Sequence, residues 1–255
     1  MVQVKTKIIY NKKIRANFFH LAISASGIAK QAAPGQFIEI KVCDGYEPLL
    51  RRPFSIHKLS GPEVHILYEV LGEGTEVLSR RRPGEYLDVI GPLGKGFNYN
   101  VAVLQCFSVP VIVAGGIGVA PLVFLAEELK ELKLFVLIGA KTKSQILCEK
   151  EFQHLGCDVK IATDDGSCGF KGKVTDLLKK VLRNNVIYAC GPRPMLKEIS
   201  RISQEYRIPA QISLEEHMAC GIGACLGCVV KTKQGFQRVC KEGPVFKADE
   251  IVWKR

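Results

Sequence analysis

The run VIVAGGIGVAPLVFLAEEL, residues 111–129, changes the character of the chain. Apolar, β-branched residues lead straight into Gly115 and Gly116, Gly118 follows, and a helix-like segment opens at Ala120-Pro121. A strand without polar alternation is expected where both faces of a parallel sheet are covered. A tight glycine turn that feeds a strand into a helix points free N–H groups and the helix dipole at an anion. The spacing departs from the usual dinucleotide pattern, because Ala120 and Pro121 stand where its later part would be. No clear ribose-binding acid ends the next strand. On its own the turn also fits a purely structural role.

Downstream, LKLFVLIG (132–139), DVKIATD (158–164), NNVIYACG (184–191) and PAQISLE (209–215) alternate with helix-like segments such as KVTDLLKKVLR (173–183). This predicts a doubly wound α/β domain over residues 99–214. The element Cys190-Gly191-Pro192-Arg193-Pro194-Met195 falls at the end of the fourth strand and opens a helix, beside the first glycine turn on the edge where open sheets bind ligands. Upstream, residues 1–98 read as short strands: VQVKTKII, IRANFFHLAIS, GQFIEIKV, RRPFSIHKL, VHILYEV and EYLDVI, broken by Pro34-Gly35, Gly61-Pro62, Pro83-Gly84 and Gly91-Pro92. Strands at this spacing predict a closed antiparallel β-barrel, with one short helix at about 75–81.

The last 41 residues, 215–255, are expected to form a small third unit built on EEHMACGIGACLGCVV. Its spacing is Cys220-x4-Cys225-x2-Cys228-x11-Cys240. A zinc ribbon offers two separated knuckles, whereas here three cysteines crowd one loop and the fourth comes alone. That arrangement matches the plant-type [2Fe-2S] pattern. Gly221, Gly223, Ala224 and Gly227 are small enough for the loop to wrap a cluster and aim N–H groups at sulfur. Zinc and a set of buried thiols are the competing readings. Cys43, Cys106, Cys148, Cys157 and Cys168 are isolated and read as small hydrophobes.

At 255 residues and 47% apolar composition the chain can fill real cores. The excess of 36 Lys+Arg over 25 Asp+Glu is dispersed apart from Arg51-Arg52 and Arg80-Arg81-Arg82, which argues for solvated faces and anionic cofactors over nucleic acid. There is no signal-peptide core and no membrane-length apolar run, so a cytoplasmic protein is expected, in a compartment where disulfides are disfavoured. His57, His65 and His217 are singletons, and no general acid or base marks a separate organic-substrate pocket.

Arg52-Pro53-Phe54-Ser55, the turn from Gly115 to Pro121 and Cys190-Gly191-Pro192, in this order, resemble the ferredoxin-NADP+ reductase superfamily, which joins a flavin-binding barrel to a nicotinamide-binding α/β domain. With the cysteine segment, the whole chain resembles the electron-transfer subunits of NAD-dependent (type B) dihydroorotate dehydrogenase. The resemblance implies that Arg52, Pro53, Phe54 and Ser55 bind FAD, Arg52 at the pyrophosphate and Ser55 at the flavin N5 edge. Phe54 stands where many relatives carry Tyr. It further implies that Tyr68, Glu69 and Val70 follow the flavin, that Gly74 and Thr75 hold phosphate, and that Gly115, Gly116, Gly118, Cys190, Gly191 and Pro192 receive NAD(H), with Cys190 near the nicotinamide. Lys141 leaves NAD against NADP open. Cys220, Cys225, Cys228 and Cys240 would hold the [2Fe-2S] cluster. The implied partner is an FMN-containing dihydroorotate dehydrogenase catalytic subunit, in a heterotetramer of two subunits of each kind serving pyrimidine biosynthesis. The same three modules also fit a diaphorase-like subunit of an NADH-dependent ferredoxin:NADP+ oxidoreductase or a cytoplasmic hydrogenase. A redox-sensing nucleic-acid-binding module would need the cluster but no flavin.

Overall fold

The computed structural model describes residues 1–99, 109–183 and 185–253. Cys106 lies outside them. The chain divides into two compact units, the first made of residues 1–96, 215–229 and 237–244, the second of 97–214, 230–236 and 245–255. The C-terminal stretch is thus shared between the two.

The first unit is built on seven strands: β1 (Val2–Arg15), β2 (Phe18–Ser24), β3 (Phe37–Lys41), β4 (Arg52–Ser55), β5 (Lys58–Ser60), β6 (Glu63–Glu69) and β7 (Tyr86–Leu93). They pair antiparallel in the order β4-β3-β7-β1-β2-β6-β5. The long β1 joins the two halves, because residues 2–7 pair with β7 and residues 8–15 with β2, with register shifts on the second half. Such bulges bend a strand and let a sheet curl. The two edge strands are consecutive in the chain. Ile56 N–H donates to Gln36 carbonyl and His57 N–H to His65 carbonyl, so the backbone passes from one edge to the other while still paired. Leu21, Ile23, Ile38, Ile40, Ile56, Val64, Ile66 and Val89 fill the interior, each fully buried. The helices here are α1 (Ser26–Ala29) and α2 (Glu73–Ser79), the latter two residues earlier than the apolar pattern suggests. The Thr75 hydroxyl explains the shift, since it accepts N–H bonds from Leu71 and Gly72 and closes the turn that starts the helix.

The second unit carries β8 (Val111–Gly115), α3 (Ala120–Glu128), β9 (Phe135–Ala140), α4 (Glu149–His154), β10 (Asp158–Thr163), β11 (Phe170–Lys171), α5 (Val174–Val181), β12 (Ile187–Cys190), α6 (Arg193–Tyr206) and β13 (Ala210–Ser213). The sheet order is β11-β10-β9-β8-β12-β13, all parallel. The order runs outward from β8 to one side and then to the other, which places a topological switch between β8 and β12. Residues 111–114 and 187–190 are buried, consistent with helices on both faces. Beyond the sixth parallel strand the sequence KEGPVFKADEIVW supplies β16 (Val245–Lys247), which adds to β13 antiparallel. Between them in the chain, β14 (Val229–Thr232) and β15 (Gly235–Arg238) form a two-stranded sheet. Among the described residues no helix is long and apolar enough to cross a membrane.

Candidate functional site

The cysteine loop belongs to the first unit. Cys228 and Cys240 are buried, Cys220 is half-buried and Cys225 is exposed, so the four thiols span from the interior to the surface. None of the nine described cysteines is in a disulfide. Backbone N–H groups point at three of the four sulfurs: Ala224 and Cys225 at Cys220 Sγ (3.3 and 3.4 Å), Gly227 at Cys225 Sγ (3.4 Å) and Cys240 at Cys228 Sγ (3.4 Å). The loop can turn its amides inward because Gly221, Gly223 and Leu226 all have positive φ (66°, 86° and 59°). Leucine in that region is strained, and strain of this kind collects where a ligand site over-determines the backbone.

Burial opposes ionisation of Cys220, but N–H donors from Cys225, Ile222 and Ala224 and the Cys225 side chain bring it down to about 6. Cys240 is pushed up to about 12 by burial and by Cys228 beside it. Ionising all four thiols together calls for strong positive charge, which bridged irons would supply. The donor set fits a four-thiolate metal centre, and the amides aimed at sulfur fit an iron-sulfur cluster.

Arg238 and Glu242 lock the loop from behind. The guanidinium makes two bonds to the Glu242 carboxylate, from Nη2 to Oε1 (2.5 Å) and from Nε to Oε2 (3.0 Å), and donates to the Gly223 carbonyl (2.7 Å). The Arg238 hydrogen bond holds Glu242 at about 2, against the opposing effect of burial. The tail of the loop is tied to the barrel, where Lys95 N–H donates to Gly243 carbonyl (2.6 Å).

In the barrel, Arg52 reaches across to α2. A Cβ on Gly74 would collide with the Arg52 guanidinium, so glycine there lets the cation lie against the first turn of the helix. Together they form a fixed positive end suited to phosphate. Phe54 is buried edge-on to Tyr68 (centroids 5.5 Å), and the Tyr68 hydroxyl donates to Asn11 Oδ1 (3.0 Å). Asn17 Nδ2 donates to Glu69 Oε1 (2.9 Å), and Val70 N–H to Asn17 carbonyl (2.8 Å). Ser55 closes β4 and is half-buried.

In the second unit the two glycine elements meet backbone to backbone. A Cβ on Gly118 would stand 2.6 Å from the Cys190 carbonyl group and the Gly191 Cα. One on Gly191 would stand 2.9 Å from the Gly115 Cα, and one on Gly115 2.8 Å from the Pro192 ring. Gly115, Gly118, Cys190, Gly191 and Pro192 thus form one surface at the C-terminal ends of β8 and β12, with Gly116 at its open side, where a Cβ would meet nothing within 4 Å. This is a cradle that a backbone-hugging ligand can enter. The Cys190 thiol is buried.

Two features escaped the sequence. Three histidines far apart in the chain converge in the barrel: the Tyr10 hydroxyl lies 3.3 Å from His20 Nε2 and 3.0 Å from His65 Nδ1, and His57 packs edge-on to His20. Glu39 in β3 is fully buried, with neither carboxyl oxygen hydrogen-bonded. Burial, against the pull of Arg51 and with a further push from Cys220, raises it to about 8.

Residues 215–252 match the family described as the iron-sulfur cluster binding domain of dihydroorotate dehydrogenase B, and residues 112–201 match the oxidoreductase NAD-binding domain. The chain is 42% identical over 259 residues to the dihydroorotate dehydrogenase B (NAD(+)) electron transfer subunit of Desulforamulus reducens, covering 97% of each chain. It belongs to that family of electron transfer subunits. The subunit of the same name from Geobacillus sp. is 41% identical, with 99% of each chain covered. Among solved structures, that of an NADH-dependent reduced ferredoxin-NADP oxidoreductase superposes with a TM-score of 0.86 at 29% identity, over 98% of this chain and 90% of that one. A ferredoxin NADP+ reductase from Neisseria gonorrhoeae shares the fold over 80% of this chain and 91% of its own (TM-score 0.68, 16% identity).

Proposed function

We propose that the chain passes electrons between NAD(H) and an FMN-containing dihydroorotate dehydrogenase catalytic subunit, through FAD and a [2Fe-2S] cluster, in pyrimidine biosynthesis. In this reading residues 1–98 bind FAD, 99–214 bind NAD(H) and 215–255 carry the cluster. The observation that carries it is the cysteine loop, whose backbone amides point at the sulfurs of Cys220, Cys225 and Cys228.

When bound, FAD would supply the exchange between two-electron hydride chemistry with NADH and one-electron transfer with a [2Fe-2S] cluster. The protein's residues do the rest. Arg52 and the first turn of α2 fix the FAD phosphate end, while Pro53, Phe54, Ser55, Tyr68, Glu69 and Val70 hold the flavin ring and set its surroundings. Gly115, Gly116 and Gly118 approach the pyridine dinucleotide pyrophosphate closely, with Cys190, Gly191 and Pro192 lining the nicotinamide end. Cys220, Cys225, Cys228 and Cys240 hold the irons. Arg238, through Gly223, keeps the loop in its ligating form.

The exposed side of the loop presents Cys225 between Ile222 and Leu226, both exposed. Apolar side chains around a surface-facing ligand suit docking of the acceptor subunit at the point where an electron leaves. Two copies of each subunit in a cytoplasmic heterotetramer complete the reading. Anaerobic stopped-flow with NADH and NADPH tests it: flavin absorbance bleaches faster with NADH, and equal rates defeat the coenzyme assignment. Co-purification yields a second flavoprotein, whereas a chain that stays monomeric without a partner contradicts the assembly. Loss of flavin with salt-dependent nucleic-acid binding would favour the sensor alternative.

A further inference from the structure

Strands β1, β2 and β6 lie side by side, and their pairing puts Tyr10 and His65 on either side of Ala22. Leu21, Ile23, Val64 and Ile66 fill the barrel interior, so alternation turns Ala22 and His65 to the outer face, with His20 two residues along on the same face. A register shift between Ile8 and Tyr10 bends β1 there and re-aims its side chains. Ala22 contributes only a methyl group, which leaves room for the larger side chains to converge above it. The Tyr10 oxygen stands 3.0 Å from His65 Nδ1 and 3.3 Å from His20 Nε2. The centroids of these two imidazole rings are 5.4 Å apart. His65 is buried, whereas Tyr10 and His20 are half-buried, so the group keeps contact with solvent.

This spacing is close to what a tetrahedral ion asks of its ligands. Two donors about 2.0–2.1 Å from zinc stand about 3.3–3.4 Å from one another, and the phenol oxygen meets both ring nitrogens to within about 0.4 Å of that distance. A hydrogen-bonded network accounts for the group less fully. The phenol has one proton to give, and His65 Nε2 remains a buried polar atom without a hydrogen bond, although Glu63 Oε2 is only 3.3 Å away. Buried orphans of this kind are rare and point to something unseen. A metal-ligating histidine ordinarily turns its other ring N–H to a carboxylate, which is how Glu63 stands towards His65.

We infer that Tyr10, His20 and His65 form a binding site for a divalent first-row transition cation, zinc being the best match, with Glu63 as the orienting carboxylate and water in the fourth position. Imidazole and phenol donors without thiolate suit such an ion, and near neutral pH an imidazole has its lone pair free. On binding, His20 Nε2 and His65 Nδ1 each donate a lone pair, and the phenolic proton of Tyr10 leaves to solvent. Zinc, two neutral imidazoles and one phenolate then carry a single net positive charge, which the Glu63 carboxylate offsets. The ion joins three strands of the barrel. It uses none of the residues assigned to FAD, NAD(H) or the cluster.

The test is equilibrium dialysis of the holoprotein against zinc near neutral pH, with zinc, iron and sulfide measured on each sample and thermal melts run with and without the metal. The expected result is one zinc per chain beyond the cluster iron, with a higher Tm, as for any ligand that binds only the folded chain. Tyr10→Phe, which removes a single oxygen, and His20→Gln each weaken zinc binding at least about 10-fold at unchanged iron and sulfide, and Glu63→Gln weakens it about 10-fold. Tyr10→Phe decides the matter alone if His20→Gln does not fold. A wild-type chain that takes up no zinc overturns the inference. So does zinc held equally well by Tyr10→Phe, or zinc gained only as iron is lost, which would place it on the cysteine thiols.

Discussion

Gly118→Ala isolates the nucleotide cradle. The added methyl would stand 2.6 Å from the Cys190 carbonyl carbon and oxygen and from the Gly191 Cα, all backbone atoms that no rotamer change can move. Carbon atoms pack at about 3.5–4.0 Å, so the β8 and β12 loops must part by about 1 Å. Overpacking of this kind costs about 1–3 kcal/mol, which for a domain of this size lowers Tm by several degrees without unfolding it. The functional effect is larger, because a displacement of about 1 Å in a positioning element costs about 10²-fold in rate. The assay is anaerobic stopped-flow reduction of bound flavin across a range of NADH, with flavin and iron contents determined on the same preparation. The expected outcome is a loss of about 10²-fold in kcat/KM for NADH at normal cofactor content, since the cysteine loop and the Arg52–Ser55 strand lie in the other unit. Gly116→Ala adds a Cβ that meets no protein atom within 4 Å, so its thermal melt reports only the cost of the positive φ of 55°, about 1–2 kcal/mol. A Gly118→Ala protein that reduces flavin at the wild-type rate would refute the idea that these two loops form the dinucleotide cradle.

Cys228→Ser, at a buried ligand position, abolishes iron and acid-labile sulfide while NADH still bleaches the flavin, as visible spectra and metal analysis will show; a retained cluster contradicts the ligand assignment. Arg238→Leu frees the Gly223 carbonyl and strands Glu242, so the cluster absorbance decays faster in air than in wild type; an equal decay rate removes Arg238 from the account. For pH, Glu198 on α6 is held at about 2 by hydrogen bonding to Arg201, against burial and with help from Lys179, below its ordinary 4.5. A depressed carboxyl contributes stability above its unfolded value, and that contribution fades as pH falls from about 4.5 towards about 2. The Tm difference between wild type and Glu198→Gln is therefore flat near neutrality and narrows below about pH 4.5; a difference that widens on acidification contradicts the assignment.

Local pattern reached far in some places and stopped short in others. The unbroken apolar strands around residues 111–115 and 187–190 mark a parallel sheet because both faces are covered, and that information sits within the strands themselves. The cysteine spacing is equally local, as one loop supplies three thiols. Glu39 is the opposite case. Alternation in β3 correctly separates its two faces, but nothing within the strand says that the distant segment around Gly221 will cover the outer one. The grouping of His20, His57 and His65 around Tyr10 depends on the β1-β2-β6 register, which single histidines in a sequence do not reveal. Likewise β16 joins the sheet antiparallel to β13, a pairing that its short sequence, Val245–Lys247, does not announce. Arg238 and Glu242 stand four apart outside any helix, so their pairing follows from the turn that returns Cys240 to the loop.

The electron-transfer role depends on the cysteine loop being a one-electron centre fed by flavin. An anaerobic optical and EPR spectrum of the purified chain, taken before and after NADH and read with its iron, sulfide and zinc contents, addresses this most directly. The account predicts two irons and two sulfides per chain, flavin bleaching on addition of NADH, and the EPR signal of a reduced [2Fe-2S] cluster. Stoichiometric zinc without sulfide, or a cluster that stays oxidised while the flavin is fully reduced, would contradict it.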